Sequence, residues 1–494
     1  MKYKGDTFNM WDAWYVNVNG TVHGFHLKMQ PGDWDVGHVT TTDLLHFTTC
    51  PSILQPLDET THPDDCGGKH TGGAYYDEAA KKAYVYYTMR SRCGSEKIGV
   101  AISEDMVNFP EYESNPVISV DPTLLLPDSR PAGGSDCRDM VVVKNPADGR
   151  YYGYFAAMST IKEGDTRGVI AVAVSDDLLT WTDQRIVYIP RFAGVIEVPD
   201  VFYMDGKWYL TFLTANIYGA HGAVDDPNLM NYTLYATADN PLGPFCEEED
   251  NVFLGGTWDS GYSCRSVEWE GKRYVLYIDR SDYGAAISWP KEIRVVEGRL
   301  RPCYTPLLKQ LRTENHLFPT HKQFEARSSS FAWKTGDGTL CQKEDTLVAE
   351  VGRYSHQQFF CTAFQVPSLE VETTITVDGA EGGICLQTYN ADGEEQAVYT
   401  VSLNAAHGEL TVYIGRNRLF SAEYLVHSKR LYPIKPHVPY HLRVLAAEGQ
   451  FEIYLDDVLA LQGNMHTEQA LRPGLFCAMG QTTFRDLQFY ELEQ

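Results

Sequence analysis

No stretch of the chain is apolar over anything near the ~20 residues needed to cross a bilayer, so no segment reads as a membrane helix. The N-terminus, Met1-Lys-Tyr-Lys-Gly-Asp-Thr7, lacks the apolar core of a secretory leader. Net charge is −25, yet no long block of one sign occurs. Diffuse negative charge supports solubility and disfavours nucleic acid or an anionic membrane as a partner. The 11 cysteines are odd in number and lack the spacing of a disulfide framework. Reduced thiols and a cytoplasmic location are the expectation. Long helical periodicity is absent as well, which excludes a mainly helical protein.

Aromatic residues are abundant, with 31 Tyr, 21 Phe and 9 Trp. They suit β-sheet packing and also surfaces on which sugar rings stack. A short signature, Ser/Thr-x-Asp-Leu/Met-x-x-Phe/Trp, recurs at 41–47, 103–109 and 175–181, with a degraded copy at 237–245. Its aspartates, Asp43, Asp105, Asp177 and Asp239, are 62, 72 and 62 residues apart. A period of this size, with several strands per unit, predicts a propeller built of one four-stranded sheet per blade. Locally, the Asp can bond turn amides while the Leu and aromatic positions staple the outer strand.

Between signatures, apolar and polar residues alternate. Hairpins are predicted around Asn19-Gly20, Asp148-Gly149, Asp205-Gly206 and Glu270-Gly271, and between 72–76 and 83–89. Five such hairpins predict an all-β fold with a five-bladed β-propeller over residues 1–300. Residues 301–323 read as a linker, and short alternating strands over 324–494 predict a C-terminal, lectin-like β-sandwich with a structural or oligomerising role.

In a propeller, residues where each innermost strand begins gather at one mouth of the channel. Three carboxylates hold such positions: Asp12 in Trp11-Asp12-Ala13-Trp14, Asp139 after Arg138, and Glu197 in Gly194-Val-Ile-Glu197-Val-Pro-Asp200. A Glu among Val, Ile and Pro is costly to keep charged, which suits a proton donor. Convergent acids are what glycosyl transfer requires. One protonates the leaving oxygen, one attacks or activates water, and a third binds sugar hydroxyls as charge develops. The plain alternatives are capping or turn roles for Asp12 and Glu197, and a structural ion pair for Arg138 and Asp139.

The segment Asp33-Trp34-Asp-Val36-Gly37-His38-Val-Thr-Thr-Thr-Asp43-Leu-Leu-His46-Phe47, with Pro51, resembles the Trp-Gly-His-x-x-Ser-x-Asp-Leu-x-His-Trp motif of the β-fructosidase clan, glycoside hydrolase families 32 and 68. Gln30, the pair Arg138-Asp139, and Glu197 with Pro199-Asp200 resemble further motifs of family 32, whereas Trp11-Asp12-Ala13-Trp14 is closer to family 68. The two-domain layout also resembles family 32. This resemblance implies Asp12 as the nucleophile of a fructosyl-enzyme intermediate, Glu197 as general acid and then base, and Asp139 with Arg138 as ligands of ring hydroxyls. It implies substrate contacts at Gln30, Thr71 and Gly72, and no metal or other cofactor. It also implies retained configuration, with the working carboxyls about 5–5.5 Å apart. The substrate is then a small or oligomeric β-fructofuranoside such as sucrose or a fructan, for hydrolysis or transfer.

Departures fall at pocket-shaping positions. Trp11 and Ala13 flank Asp12, Val36 precedes Gly37-His38, and His70-Thr71-Gly72-Gly73 stands where the family has Phe-Ser-Gly-Ser. Met140 follows Asp139, and Val198 follows Glu197. The acids are thus better marked than the substrate.

Trp14, Trp34 and His70 suit either a sugar-facing wall or the core. Tyr262 and Arg265 head the fifth blade and are pocket candidates. Asn216, Tyr218 and His221 are candidates for a leaving-group subsite. His62, Cys66, His70 and Cys93 match no zinc spacing, so no metal is expected. Cys137 and Cys264 read as small buried residues. Two rival functions stay open. One is an inverting five-bladed glycosidase of the arabinanase and xylosidase type, whose carboxyls stand more than ~6.5 Å apart. The other is a non-catalytic carbohydrate-binding relative.

Overall fold

The computed structural model describes residues 2–493 except 5–9, 31–32, 131–133, 163–164, 192, 221–229, 257–260, 282–283, 328–337, 417–422, 432 and 466–469. Nearly every described element is a strand, and the helical segments among the described residues are short 3-10 turns. None of the described helices is long and apolar enough to cross a membrane.

Antiparallel meanders build the N-terminal part. β1 (Met10–Val18), β2 (Thr21–Gln30), β3 (Asp33–Thr41) and β4 (Thr48–Leu54) form a four-stranded sheet in chain order. β5 (Lys69–Asp77), β6 (Lys82–Arg90) and β7 (Glu96–Ser103) form a three-stranded sheet, extended by isolated bridges from Ile118 to Ile98 and Glu111 to Ala101. The four-strand pattern returns in β8 (Cys137–Lys144), β9 (Tyr151–Lys162), β10 (Asp165–Ser175) and β11 (Thr182–Tyr188). It returns again in β12 (Glu197–Met204), β13 (Lys207–Ala215), β14 (Asn231–Ala238) and β15 (Cys246–Gly256). A last meander comprises β16 (Tyr262–Trp269), β17 (Lys272–Ser281), β18 (Gly284–Ile287), β19 (Lys291–Val296) and β20 (Arg299–Cys303). First strands lie side by side in the order β1, β5, β8, β12, β16, and β16 packs back on β1.

Local chemistry explains the turns. Asn19-Gly20, Asp205-Gly206 and Glu270-Gly271 have both φ positive, at 54° and 90°, 49° and 83°, 49° and 72°. That is type I′ geometry, matched to the strand twist. The repeated signature makes one turn three times. Asp43 Oδ1 accepts the amides of Leu45 and His46, Asp105 those of Val107 and Asn108, and Asp177 those of Leu179 and Thr180, all between 2.6 and 2.9 Å. The residue after each Asp turns left-handed, with Leu44, Met106 and Leu178 at φ 63°, 59° and 69°. Leu44 and Leu178 are buried there, so packing offsets the backbone strain.

The C-terminal part is a sandwich. A seven-stranded sheet runs from Phe324–Arg327 at one edge to Glu423–Leu431 at the other. Its core is apolar, with Val371, Ile375, Leu386, Val401, Leu442, Ile453 and Phe484. The facing sheet is hydrogen-bonded to β20 through Cys303 and Val458, so β16–β20 and this sheet are one continuous 13-stranded sheet. Residues 301–323 are accordingly not a featureless connection. They hold the end of β20, a turn at Pro306–Leu311, and a strand, Arg312–Leu317, paired to Gln481–Leu492. A buried ionic seam adds to the junction: Arg312 is bidentate on Glu370 at 2.7 and 2.8 Å, and Lys2 donates to Asp279 at 3.0 Å and across the junction to Gln450 at 2.6 Å. All eleven cysteines are free thiols.

Candidate active site

Each first strand slips register near its head. The shifts lie between Trp11 and Ala13 in β1, His70 and Gly73 in β5, and Arg138 and Val141 in β8. They recur between Glu197 and Asp200 in β12, and Tyr262 and Arg265 in β16. An extra residue at such a bulge bends the strand and re-aims its side chains. Asp139, Val198 and Ser263 take φ of 63°, 52° and 54° at these bulges. Asp12, Asp139 and Glu197 thereby face one cavity of about 300 Å³ instead of alternating across their sheets.

Asp12 is buried. The Thr71 hydroxyl donates to its Oδ2, and its Oδ1 has no hydrogen-bond partner among the described residues. Burial raises its carboxyl above the usual range and Glu197 adds to this, against the Thr71 hydrogen bond. Asp139 is 4% exposed, and its Oδ2 accepts the Val198 amide at 2.9 Å. Its carboxyl is pushed up to about 8, chiefly by burial, with Glu197 and Asp12 adding and Arg138 opposing.

Arg138 is the cation among these acids. Its Nη2 donates to Glu197 Oε1 at 3.1 Å and its Nη1 to Glu96 Oε2 at 3.3 Å, with Asp136 beside Nη1 and Asp139 3.7 Å from Nε. Burial opposes its charge, but the surrounding carboxylates prevail. Glu96 also accepts from Arg130. Glu197, 20% exposed at its side chain, therefore sits in a polar setting rather than the apolar one its sequence neighbours suggest. Val195 and Ile196 precede it, yet Arg138 and Tyr218 come from other meanders or loops. The Tyr218 phenol is raised by burial and by Glu197. Its carbonyl accepts the amides of Gly194 and Val195 at 2.7 and 3.3 Å, tying its turn to the head of β12.

Of the other expected positions, Trp34 and His70 line the cavity, and Trp34 meets Trp11 edge-on at 6.1 Å. Thr71 lines it too, with its hydroxyl committed to Asp12. Trp14 does not reach it. At 1% exposed, it packs on Phe25 within the core between β1 and β6, because past the bulge the strand's alternation sends it sideways. Gly72 lies behind the wall: a Cβ there would stand 1.9 Å from the Tyr86 carbonyl oxygen, and its own carbonyl accepts from Arg265. Gln30 and Tyr262 are placed in β2 and β16, but their side chains lie outside those described, as does all of His221. Asn216 bonds Tyr232 and is not among the cavity residues. Cys137 and Cys264 are buried in the core, where burial lifts the Cys264 thiol to about 12. No three described His, Cys, Asp or Glu side chains group as a metal site.

Arg90, Glu96 and Arg130 line the cavity without having been anticipated. They come from the end of β6, the start of β7 and the loop before β8, places that a rule about first-strand heads does not reach. The available signal was the density of arginines around an acid pair, Arg90-Ser-Arg92 and Arg130 near Asp136-Cys-Arg138.

A sucrose-6-phosphate hydrolase of Pediococcus pentosaceus is 24% identical over 473 residues, covering 90% of this chain and 79% of that protein. A mutant GH32 beta-fructofuranosidase of Bombyx mori in complex with sucrose superposes with a TM-score of 0.68 at 17% identity, over 100% of this chain and 93% of that one. A sucrose-6-phosphate hydrolase from Lactobacillus gasseri gives 0.70 at 15% identity, over 100% and 93%. The model of the glycosyl hydrolases family 32 N-terminal domain matches residues 13–284, from the residue after Asp12 to the start of β18, which is more than half of the chain. The chain therefore belongs to glycoside hydrolase family 32.

Proposed function

We propose that this glycoside hydrolase is a retaining β-fructofuranosidase, with a five-bladed propeller carrying the site and the 324–494 sandwich serving as packing support. The observation that carries the reading is the division of labour at Asp12: one carboxylate oxygen is held by Thr71 and the other has no hydrogen-bond partner among the described residues, within the cavity that Glu197 and Arg138 share. Asp12 Oδ1 attacks the anomeric carbon while Glu197 gives a proton to the departing glycosidic oxygen. The fructosyl ester so formed is then opened by water, whose proton Glu197 takes, and Asp12 leaves as a carboxylate. A sugar hydroxyl in place of water makes the same intermediate a donor for transfer. Asp139 and Arg138 hold ring hydroxyls, where hydrogen bonds strengthen as positive charge grows on the ring.

Azide separates the roles. Glu197→Ala with azide is expected to give fructosyl azide of retained configuration, and Asp12→Gly with azide the inverted product. An inverted sugar from the unmodified enzyme would favour the arabinanase-type alternative, and ligand binding without turnover of any furanoside a carbohydrate-binding protein.

A second reading concerns the leaving group. Arg90 faces the cavity with no carboxylate partner among the described residues, and Arg130 stands in the same wall. Two cations beside the sugar site fit a phosphorylated substrate, in keeping with the sucrose-6-phosphate hydrolase relative.

A further inference from the structure

Arg265 is a buried cation beneath the cavity. It leaves β16 just past the bulge, opposite Leu276, and is 2% exposed. Its Nη2 donates to two main-chain carbonyls, Asp139 at 3.0 Å and Gly72 at 3.2 Å. Its Nε and Nη1 have no hydrogen-bond partner among the described residues. Asp200, Asp139 and Asp12 act on its charge through space, against strong desolvation.

A buried guanidinium without a carboxylate in contact is a poor way to stabilise a fold, and a packed hydrophobe of similar volume often does better. What the group holds accounts for its presence. Both accepting carbonyls belong to bulges, where the ladder cannot satisfy them. The Asp139 carbonyl is that of the residue turned to φ 63° so that its side chain enters the cavity. Gly72 directly follows Thr71, whose hydroxyl orients Asp12. One nitrogen from β16 thus ties the main chain under two of the working carboxyls, which come from β1 and β8.

We propose that Arg265 is the positioning residue of this site: from the last meander it clamps the β5 and β8 bulges, keeping Thr71–Asp12 and Asp139 in working geometry at a cost in stability. The proposal rests on reading Asp12 and Asp139 as working carboxyls.

Its test compares Arg265→Met with Arg265→Lys, which can still donate to the carbonyls. Arg265→Met is expected to lower kcat roughly 30- to 100-fold with KM within about threefold, as misplacement of reacting groups does, while Tm stays level or rises. Arg265→Lys recovers most of kcat. Amide hydrogen exchange over 71–74 and 138–141 quickens in the Met variant and returns toward the unmodified rate in the Lys variant. Unchanged kcat and unchanged exchange in Arg265→Met overturn the proposal. So does a Met variant that fails to fold or loses Tm and activity together, since Arg265 is then a structural residue. If the unmodified protein turns over no fructoside, the functional reading fails, and exchange at the two bulges still decides whether the clamp exists.

Discussion

The carboxylate of Asp139 accepts a hydrogen bond from the main-chain amide of Val198, at 2.9 Å. Val198 is the neighbour of Glu197 and sits at φ 52°, a conformation a β-branched residue adopts at a cost. The proposed transition-state ligand of one meander is thereby fastened to the backbone that carries the proposed acid of the next. A shift at either bulge moves both side chains.

Asp139→Asn keeps this tie, because the amide oxygen can still accept from Val198, whereas Asp139→Ala loses it. Both variants are expected to lose roughly 10²–10⁴-fold in kcat/KM, but Asp139→Ala alone should lose Tm at neutral pH. The sign with pH is also set. The fold holds the Asp139 proton up to about 8, while the unfolded chain releases it near 3.9. Between those values the folded state binds the extra proton, so its stability falls as pH rises. Asp139→Asn should gain on the unmodified protein from pH 4 to 8 and gain nothing further above. Thermal unfolding across pH checks this.

Activity should follow the same cluster. Asp12 and Asp139 are both raised, chiefly by burial, and Asp139, at about 8, keeps its proton past neutrality. As Asp139 is the proposed ligand of ring hydroxyls, loss of its proton is expected to change kcat/KM along an alkaline limb near 8. Asp139→Asn removes the titrating group and should abolish the limb. Arg138→Met removes the cation and moves it higher. A limb near 8 that persists in Asp139→Asn would refute this account.

Arg90 distinguishes the two leaving groups. If a phosphate sits against it, Arg90→Met should raise KM for sucrose 6-phosphate about 10- to 100-fold, the loss of one charge-assisted contact, and leave sucrose turnover within about twofold. Equal effects on both sugars would assign Arg90 to the wall alone.

Much of this was readable beforehand, and the remainder failed for physical reasons. The signature aspartates and the Asn-Gly and Asp-Gly turns determine their own neighbourhoods, so strands and hairpins followed from short windows. Asp12, Asp139 and Glu197 share a cavity because each heads a first strand. Trp14 takes the core role of its two because a bulge, which no alternation rule anticipates, changes the face on which it lands. Glu197 was read from its neighbours in sequence, while its partners Arg138 and Tyr218 come from elsewhere. The strand in the 301–323 segment escaped notice because its partner, Gln481–Leu492, is the last strand, far outside any local window.

The same long-range pairing gives the junction a pH dependence. His441 lies 3.2 Å from Glu372 and 3.7 Å from Asp457, and those two acids raise it to about 9 against partial burial, with Asp457 first. In the unfolded chain it titrates near 6.5. A raised folded value means the pairing stabilises fully below 6.5 and is lost as pH climbs through about 9. His441 is a third exposed at its side chain, so solvent screening keeps the effect modest. His441→Gln should lower Tm by about 2–4 °C at pH 6, by progressively less at pH 8, and not at all above the titration. Since Glu372 also accepts from Arg312 and Arg443, the seam should survive the change, and activity at neutral pH should be unaffected. A Tm difference that is constant across pH would show that the imidazole contributes packing rather than charge.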